Sequence, residues 1–144
     1  MMKCHDELPP ALPVLPFISN DDIRFGIEDR IRAAWTDFKA GEWMGATVFA
    51  GAALEALLLW ALKQRMLIRT SQRSLDDLHL ADLIALATRE GVIDEASERQ
   101  ASLAKDARNL IHPGKALRSG EMCNKTTALT ALTAVYRVID RLNS

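Results

Sequence analysis

The fold is decided by residues 44–62, which read MGATVFAGAALEALLLWAL. These 19 residues carry a single charge, Glu55, and are otherwise apolar or small on every side of a helix. A helix without a polar face must be covered by other helices, which predicts the central element of a bundle. The segment also approaches the length of a membrane span, which is the alternative. Because a carboxylate at mid-bilayer costs about 2.5–3.5 kcal/mol, we expect a core helix and no membrane partner.

Capping signals and helical periodicity on either side predict four further helices. A Ser-x-x-Asp capping box opens the first and third helices, an aspartate caps the fourth, and glycines or a Pro-Gly pair end them. These positions are Ser19 and Asp22, Ser74 and Asp77, Asp94, Gly41, Gly91 and Pro113-Gly114. The second helix is expected over about residues 42–66 and the fourth over about 95–112. Short connections then predict an all-α, up-and-down bundle of about five helices.

The chain is expected to form one domain behind an N-terminal arm. Prolines at positions 9, 10, 13 and 16 predict that residues 1–18 are extended, either mobile or docked on the surface. Residues 19–144 form the single helical-bundle domain, and an apolar content of 49% is sufficient for its core. The polar start of the chain lacks the pattern of a signal peptide, which predicts a cytoplasmic protein.

The net charge, the cysteines and the histidines argue against a globally basic nucleic-acid-binding protein, a disulfide-stabilised protein and a structural metal site. The formal net charge of −1 gives no global attraction to nucleic acid, so such affinity must come from a local patch. Cys4 and Cys123 are far apart and predict two free thiols in a reducing compartment. The three histidines are scattered and show no paired metal-ligand spacing. We therefore expect neither a structural metal nor a cofactor.

Four polar residues are predicted to share one face of the fourth helix. At 100° per residue they fall within an arc of about 100°, and they are Lys105, Arg108, Asn109 and His112. The opposite side carries Leu103, Ala107, Leu110 and Ile111. This pattern predicts that the apolar side packs into the bundle and that the polar side is presented outward. The ordinary interpretation of such a stripe is a solvated face.

The chemistry of the stripe suits a phosphodiester. Arg108 can bind phosphate bidentately, and His112 can exchange a proton with a ribose 2′-hydroxyl or a leaving oxygen. Asn109 can orient either group. Because no metal ligands cluster nearby, the mechanism is expected to be metal-independent. Glu55 is expected to be a buried carboxylate paired with a basic residue of the fourth helix rather than a catalytic acid.

A local basic patch is the candidate substrate-binding surface. Lys115 and Arg118, together with Lys105 and Arg108 against the one acid Asp106, give residues 105–118 an excess of positive charge. If the basic connector over residues 63–73 lies adjacent, the two segments together would attract RNA. An ordinary basic surface, balanced elsewhere, is the alternative.

The string Arg108-Asn109-Leu110-Ile111-His112-Pro113 resembles the signature of the HEPN superfamily, small helical bundles found in many prokaryotic toxins and RNases. The order of elements over roughly residues 20–142 fits as well. The resemblance implies a symmetric homodimer in which two such stripes meet across a cleft, RNA as the substrate, and an antitoxin or other protein as a further partner. It implies catalysis by a metal-independent endoribonuclease.

This chain departs from the family pattern, in which an arginine precedes the histidine by four to six intervening residues. Lys105 stands where the family arginine would be, and Arg108 lies only three intervening residues before His112. Either Lys105 substitutes for the arginine, or Arg108 acts instead, or the site is inactive. Lysine does not reproduce the bidentate guanidinium. A non-catalytic regulatory bundle resembling the mannitol-operon repressor type is therefore the competing hypothesis.

Overall fold

The computed structural model describes residues 12–65, 75–112, 114 and 122–144. Within these ranges the chain forms five α-helices and no strand, so the predicted all-α bundle is confirmed. The helices are α1 (Asp21–Lys39), α2 (Trp43–Arg65), α3 (Leu80–Arg89), α4 (Glu95–Asn109) and α5 (Lys125–Leu142). A single 3-10 turn, Leu75–Asp77, precedes α3.

Helix α2 is the centre of the bundle and contacts each of the other four helices. Its leucines at positions 54, 57, 58 and 62 are fully buried. Among the described residues it is the one helix long and apolar enough to cross a membrane, with a mean hydropathy of 1.7, a property that buried core helices share. Its burial by neighbours on several sides favours the core-helix interpretation.

The described end of the predicted arm packs into this core. Leu15 and Ile18 are buried among the helices, with exposed fractions of 1% and 0%. The ring of Phe17 lies 5.5 Å from that of Trp60 on α2, centroid to centroid. These residues therefore add apolar contacts to one side of α2 rather than trailing over the surface.

The caps of α1 and α4 satisfy backbone donors that have no partner within the helix. The Asn20 side chain accepts a hydrogen bond from the backbone N–H of Ile23 at 3.0 Å, so Asn20 is the N-cap and the predicted Ser19 box is wrong. Both residue types cap well, and the one that takes this role is set by where the chain turns. The predicted cap at Asp94 is confirmed, since its carboxylate accepts from the Ser97 backbone N–H at 2.8 Å.

Helix α3 begins later than the sequence predicts. Its first residue is Leu80, and the carboxylate of Asp82 accepts from the backbone N–H of the N-cap residue His79 at 3.2 Å. Asp77 belongs to the preceding 3-10 turn and Ser74 lies outside the described residues, so the predicted box does not open α3. Residues 75–77, which the predicted capping box placed in the first turn of the helix, form the 3-10 turn instead.

Glycines end α1 and α3 as predicted. Gly41 and Gly91 have φ angles of +77° and +75°, the left-handed conformation that L side chains rarely adopt. Each glycine directly follows the C-cap residue of its helix, Ala40 in α1 and Glu90 in α3. The chain can therefore reverse its direction there, and the next helix can pack antiparallel.

Replacing Asp94 with alanine is expected to lower Tm at neutral pH, because α4 loses its cap. Hydrogen bonds from the backbone and side chain of Ser97, with smaller contributions from Arg141 and Arg137, hold the pKa of Asp94 below 3.8. Stability from a depressed carboxyl pKa is present above the unfolded pKa and is lost as pH falls through the folded one. The Tm difference between wild type and Asp94→Ala should therefore shrink below pH 3.8. Thermal melts of wild type and Asp94→Ala at pH values above and below 3.8 test this prediction. Asp94→Asn, which keeps a hydrogen-bond acceptor at the cap, is the control. A Tm difference between wild type and Asp94→Ala that does not change with pH would contradict the prediction.

Candidate functional site

The polar stripe begins within α4 and ends in a tighter turn. The N–H groups of Leu110, Ile111 and His112 donate to carbonyls three residues back, at 3.1 to 3.2 Å. Helix α4 therefore ends at Asn109, and the prediction of a regular helix to residue 112 is wrong over its last three residues. The reason lies in the sequence, because the residue before Pro113 is disfavoured in the α conformation.

The packed face of α4 differs from the one that was predicted. Helix α4 lies against α5, α3 and α2 through small side chains, and its buried residues are Ser97, Ala101, Ala104 and Ala107. Of the four predicted packing residues only Ala107 is buried, whereas Leu103 is 55% exposed and Leu110 and Ile111 are half-buried. Small residues allow close approach between helices, so the alanine side takes the interface. Because the alanine side of α4 is packed and not the predicted leucine side, Arg108 lies at the border of the packed face.

Arg108 is held against α2. Its aliphatic stem crosses the backbone at Gly51, where a Cβ would lie only 2.6 Å from Cδ and 3.2 Å from Cγ of Arg108. Its Nη1 atom lies 3.4 Å from Oε2 of Glu55, one helical turn further along α2. The side chains of Arg108 and Glu55 are 27% and 41% exposed, so the guanidinium is fixed at the rim of the bundle and remains accessible.

The predicted pairing of Glu55 with a basic residue of the fourth helix is confirmed, and the predicted burial of its carboxylate is wrong. Sequence reasoning missed the role of Gly51, which has no side chain and so lets the arginine stem reach the acid. A glycine one turn before the only charge of the apolar segment 44–62 is the signal that could have identified it.

The remaining three residues of the stripe are less constrained than Arg108. Lys105 is 30% exposed on its side chain, and its Nζ lies 3.5 Å from the carboxylate of the neighbouring residue Asp106. Asn109 is half-buried, and His112 is exposed in the turn that follows the helix. The structure therefore brings one anchored guanidinium and an exposed imidazole to the same end of α4.

The predicted substrate-binding residues Lys115 and Arg118 lie outside the described residues. Of the basic connector, Lys63 and Arg65 are described, and both are engaged: Lys63 Nζ is 2.8 Å from the Asp76 carboxylate, and Arg65 donates to the Glu90 carbonyl at 2.7 Å. They lie at least two turns beyond Glu55 along α2, or roughly 12 Å at 1.5 Å per residue. In the described part of the chain, the two basic groups do not merge into one patch.

The last turns of α4 and the turn that follows provide two cations, an amide and an imidazole, which are suited to binding and proton transfer at a phosphodiester. Within the described ranges, no group of three His, Cys, Asp or Glu is placed to hold a metal ion. Comparison with known proteins finds no matching family model, curated protein or solved structure.

Proposed function

We propose that this chain is a HEPN-like homodimeric protein that acts on RNA as a metal-independent endoribonuclease of a toxin–antitoxin or defence system. One observation carries the proposal: an arginine fixed against α2 and an exposed histidine lie about one turn apart at the same end of α4. The arginine is oriented by Glu55 before any substrate arrives. The histidine is free to meet one.

The proposed reaction is an internal transesterification. Neutral His112 takes the proton from a ribose 2′-hydroxyl, and the 2′-oxygen forms a bond to the adjacent phosphorus. The bond from phosphorus to the 5′-oxygen breaks, and that oxygen receives a proton from water or from a protonated His112 of a second copy. The products are a 2′,3′-cyclic phosphate and a 5′-hydroxyl end.

Arg108 is the proposed phosphate ligand in this reaction. A guanidinium has five N–H donors, and one contact at 3.4 Å to Glu55 leaves donors for a non-bridging oxygen. Such donors stabilise the charge that develops on phosphorus-bound oxygen. Lys105, one turn earlier on α4, adds a second positive charge, and Asn109 supplies an amide to orient the substrate.

A symmetric homodimer would double this site. A large apolar side chain is exposed beside it: Met44, 56% exposed, is two turns before Gly51 on α2 and, at 100° per residue, on the same side of that helix as Gly51 and Glu55. A second copy that covers Met44 would gain apolar burial and, by two-fold symmetry, place a second Arg108 and His112 opposite the first pair, with a groove between them. We further propose a cytoplasmic location and an antitoxin partner that blocks the groove.

The test is cleavage of a labelled single-stranded RNA by the purified full chain in the presence of EDTA. We expect fragments ending in a 2′,3′-cyclic phosphate and beginning with a 5′-hydroxyl, because the nucleophile is the neighbouring 2′-oxygen. A DNA oligonucleotide of the same sequence, which lacks the 2′-hydroxyl, is the matched control and should remain intact. Failure to cleave any RNA, or fragments that carry 5′-phosphates, would remove the enzymatic half of the proposal.

A non-catalytic regulatory bundle, similar to the mannitol-operon repressor type, is the second candidate. This candidate is favoured because Arg108 already makes structural contacts. Its stem packs over Gly51, and its charge is paired with Glu55. In that case His112→Ala would change self-association or partner binding, and no RNA would be bound or cut. Gel-shift and sedimentation measurements on the same variant separate the two candidates.

A further inference from the structure

A cleft of about 310 Å³ lies between α1 and α2, away from the end of α4. Its lining is mostly apolar, and its polar members are Asp22, Arg30, Lys63 and Gln64. This volume lies at the lower end of the range for small-molecule pockets. The residues on α1 extend from position 22 to position 30, which is about 12 Å at 1.5 Å per residue.

Two small residues open the cleft. Gly26 lies within α1, where glycine weakens a helix relative to alanine. A Cβ built there would meet only Nη1 of Arg30, at 3.3 Å, so the packing does not require glycine. Ala56 faces the same cleft from α2 and is also small. The absence of side-chain volume at these two positions leaves the space unfilled.

The walls of the cleft are apolar and partly open to solvent. Ile23 is 43% exposed although it is a large aliphatic residue, and Leu59 and Trp60 are half-buried beside it. Ile27 forms a fully packed floor at 2% exposure. A ligand with an apolar body would cover the exposed parts of these side chains.

The lining of the cleft carries two cations and one acid. Lys63 is paired with the Asp76 carboxylate at 2.8 Å. Arg30 donates through Nη1 to the carbonyl of Gly26 at 2.8 Å, and within the described part of the chain it forms no ion pair. Its other donors are available, whereas the one acid of the lining, Asp22, lies two turns away. Among the described residues that line the cleft, Arg30 is therefore the cation without an ion pair, and it lies at one end of the apolar lining.

We infer that this cleft binds a small amphipathic anion, whose apolar body lies on Ile23, Leu59 and Trp60 and whose carboxylate, sulfonate or phosphate is held by Arg30. The inference is independent of the proposed ribonuclease function, because no residue of α4 takes part in the cleft. A site of this kind would allow a small metabolite to bind the bundle on the α1 side.

The probe is 8-anilinonaphthalene-1-sulfonate, titrated into the full chain and followed by its fluorescence and by calorimetry. Saturable one-to-one binding is expected. Gly26→Leu should weaken it by at least 10-fold, because the new side chain fills the cleft. Arg30→Gln should weaken it by about 10-fold while leaving binding of the uncharged analogue N-phenyl-1-naphthylamine unchanged. Arg32→Gln, at an exposed position on the same helix, is the matched control and should bind as wild type.

Circular dichroism and Tm of each variant establish that it is folded, and Arg30→Gln tests the inference even if Gly26→Leu does not fold. Wild-type affinity in folded Gly26→Leu, or the absence of saturable binding to wild type, would overturn the site. Equal loss of the charged and uncharged probes in Arg30→Gln would overturn the assignment of the ligand as an anion.

Discussion

Replacing His112 with alanine is expected to slow RNA cleavage by about 10²–10⁴-fold, the range in which a positioned general acid–base group contributes. The fold should be unaffected, because the side chain of His112 is exposed and lies beyond the end of α4. Single-turnover cleavage rates, measured with enzyme in excess, separate this loss from changes in product release. The Tm of the variant should match that of wild type.

His79→Ala provides the matched control for this substitution. His79 is also an exposed histidine and also borders a helix, but it lies at the start of α3. Its removal should leave the cleavage rate within a factor of about two, a change smaller than 0.5 kcal/mol in the barrier. Equal rates for wild type and His112→Ala would contradict the assignment of the imidazole as the proton-transfer group.

Replacing Gly51 with leucine is expected to lower the free energy of unfolding by about 2–3 kcal/mol, because side-chain volume is added to a packed interface. For a chain of this size the Tm should fall by roughly 5–10 °C. Even the Cβ atom of the new residue would come within 2.6 Å of Arg108 Cδ. The arginine must then leave its place, so contact with Glu55 and any RNA cleavage should be lost together.

A double-mutant cycle with Arg108→Ala tests the cause of this destabilisation. If the clash is with the arginine stem, Gly51→Leu should cost at least about 1 kcal/mol less in the Arg108→Ala background. Gly45→Leu is the matched control on α2, since the atoms nearest to a Cβ at that position belong to the Asp37 carboxyl group and not to Arg108. Denaturant unfolding measures all the variants. Strict additivity of Gly51→Leu and Arg108→Ala would contradict the packing described here.

Much of the fold could be predicted from local sequence. The second helix was expected over about residues 42–66 and is observed as Trp43–Arg65, because an apolar run of this length has few alternatives. Gly41 and Gly91 marked the ends of α1 and α3, since the left-handed conformation at those points favours glycine. Such signals depend on a few neighbouring residues and need no knowledge of the rest of the bundle.

The orientation of α4 could not be predicted in the same way. Hydrophobicity assigned Leu103 to the core, whereas the bundle packs the alanines at positions 101, 104 and 107. The choice depends on how closely α5 and α2 approach, which is a property of the assembled helices. The choice of Asn20 over Ser19 as the N-cap is a smaller case, because both residue types accept the same hydrogen bond.

The candidate site could be predicted only in part, because its geometry also depends on the orientation of α4. Its residue types and the partnership of Glu55 with α4 followed from a lone carboxylate in an apolar helix and a basic stripe elsewhere. That Arg108 is the partner depends on the rotation of α4 and on the open backbone at Gly51. The side chain of Glu55 is 41% exposed because it lies on a side of α2 that its neighbours leave partly open, which the nearly all-apolar sequence of that helix does not reveal.

In the proposed dimer, two copies of the chain bring the ends of α4 together in one groove. The most direct measurement is the rate of disulfide cross-linking of His112→Cys in a Cys4→Ser, Cys123→Ser background, compared with His79→Cys in the same background. Both variants are oxidised at a concentration where light scattering gives the oligomeric state. We predict a dimer that cross-links rapidly through position 112 and slowly through position 79. A monomer, or cross-linking through position 112 no faster than through position 79, would show that the ends of α4 do not meet in a dimer.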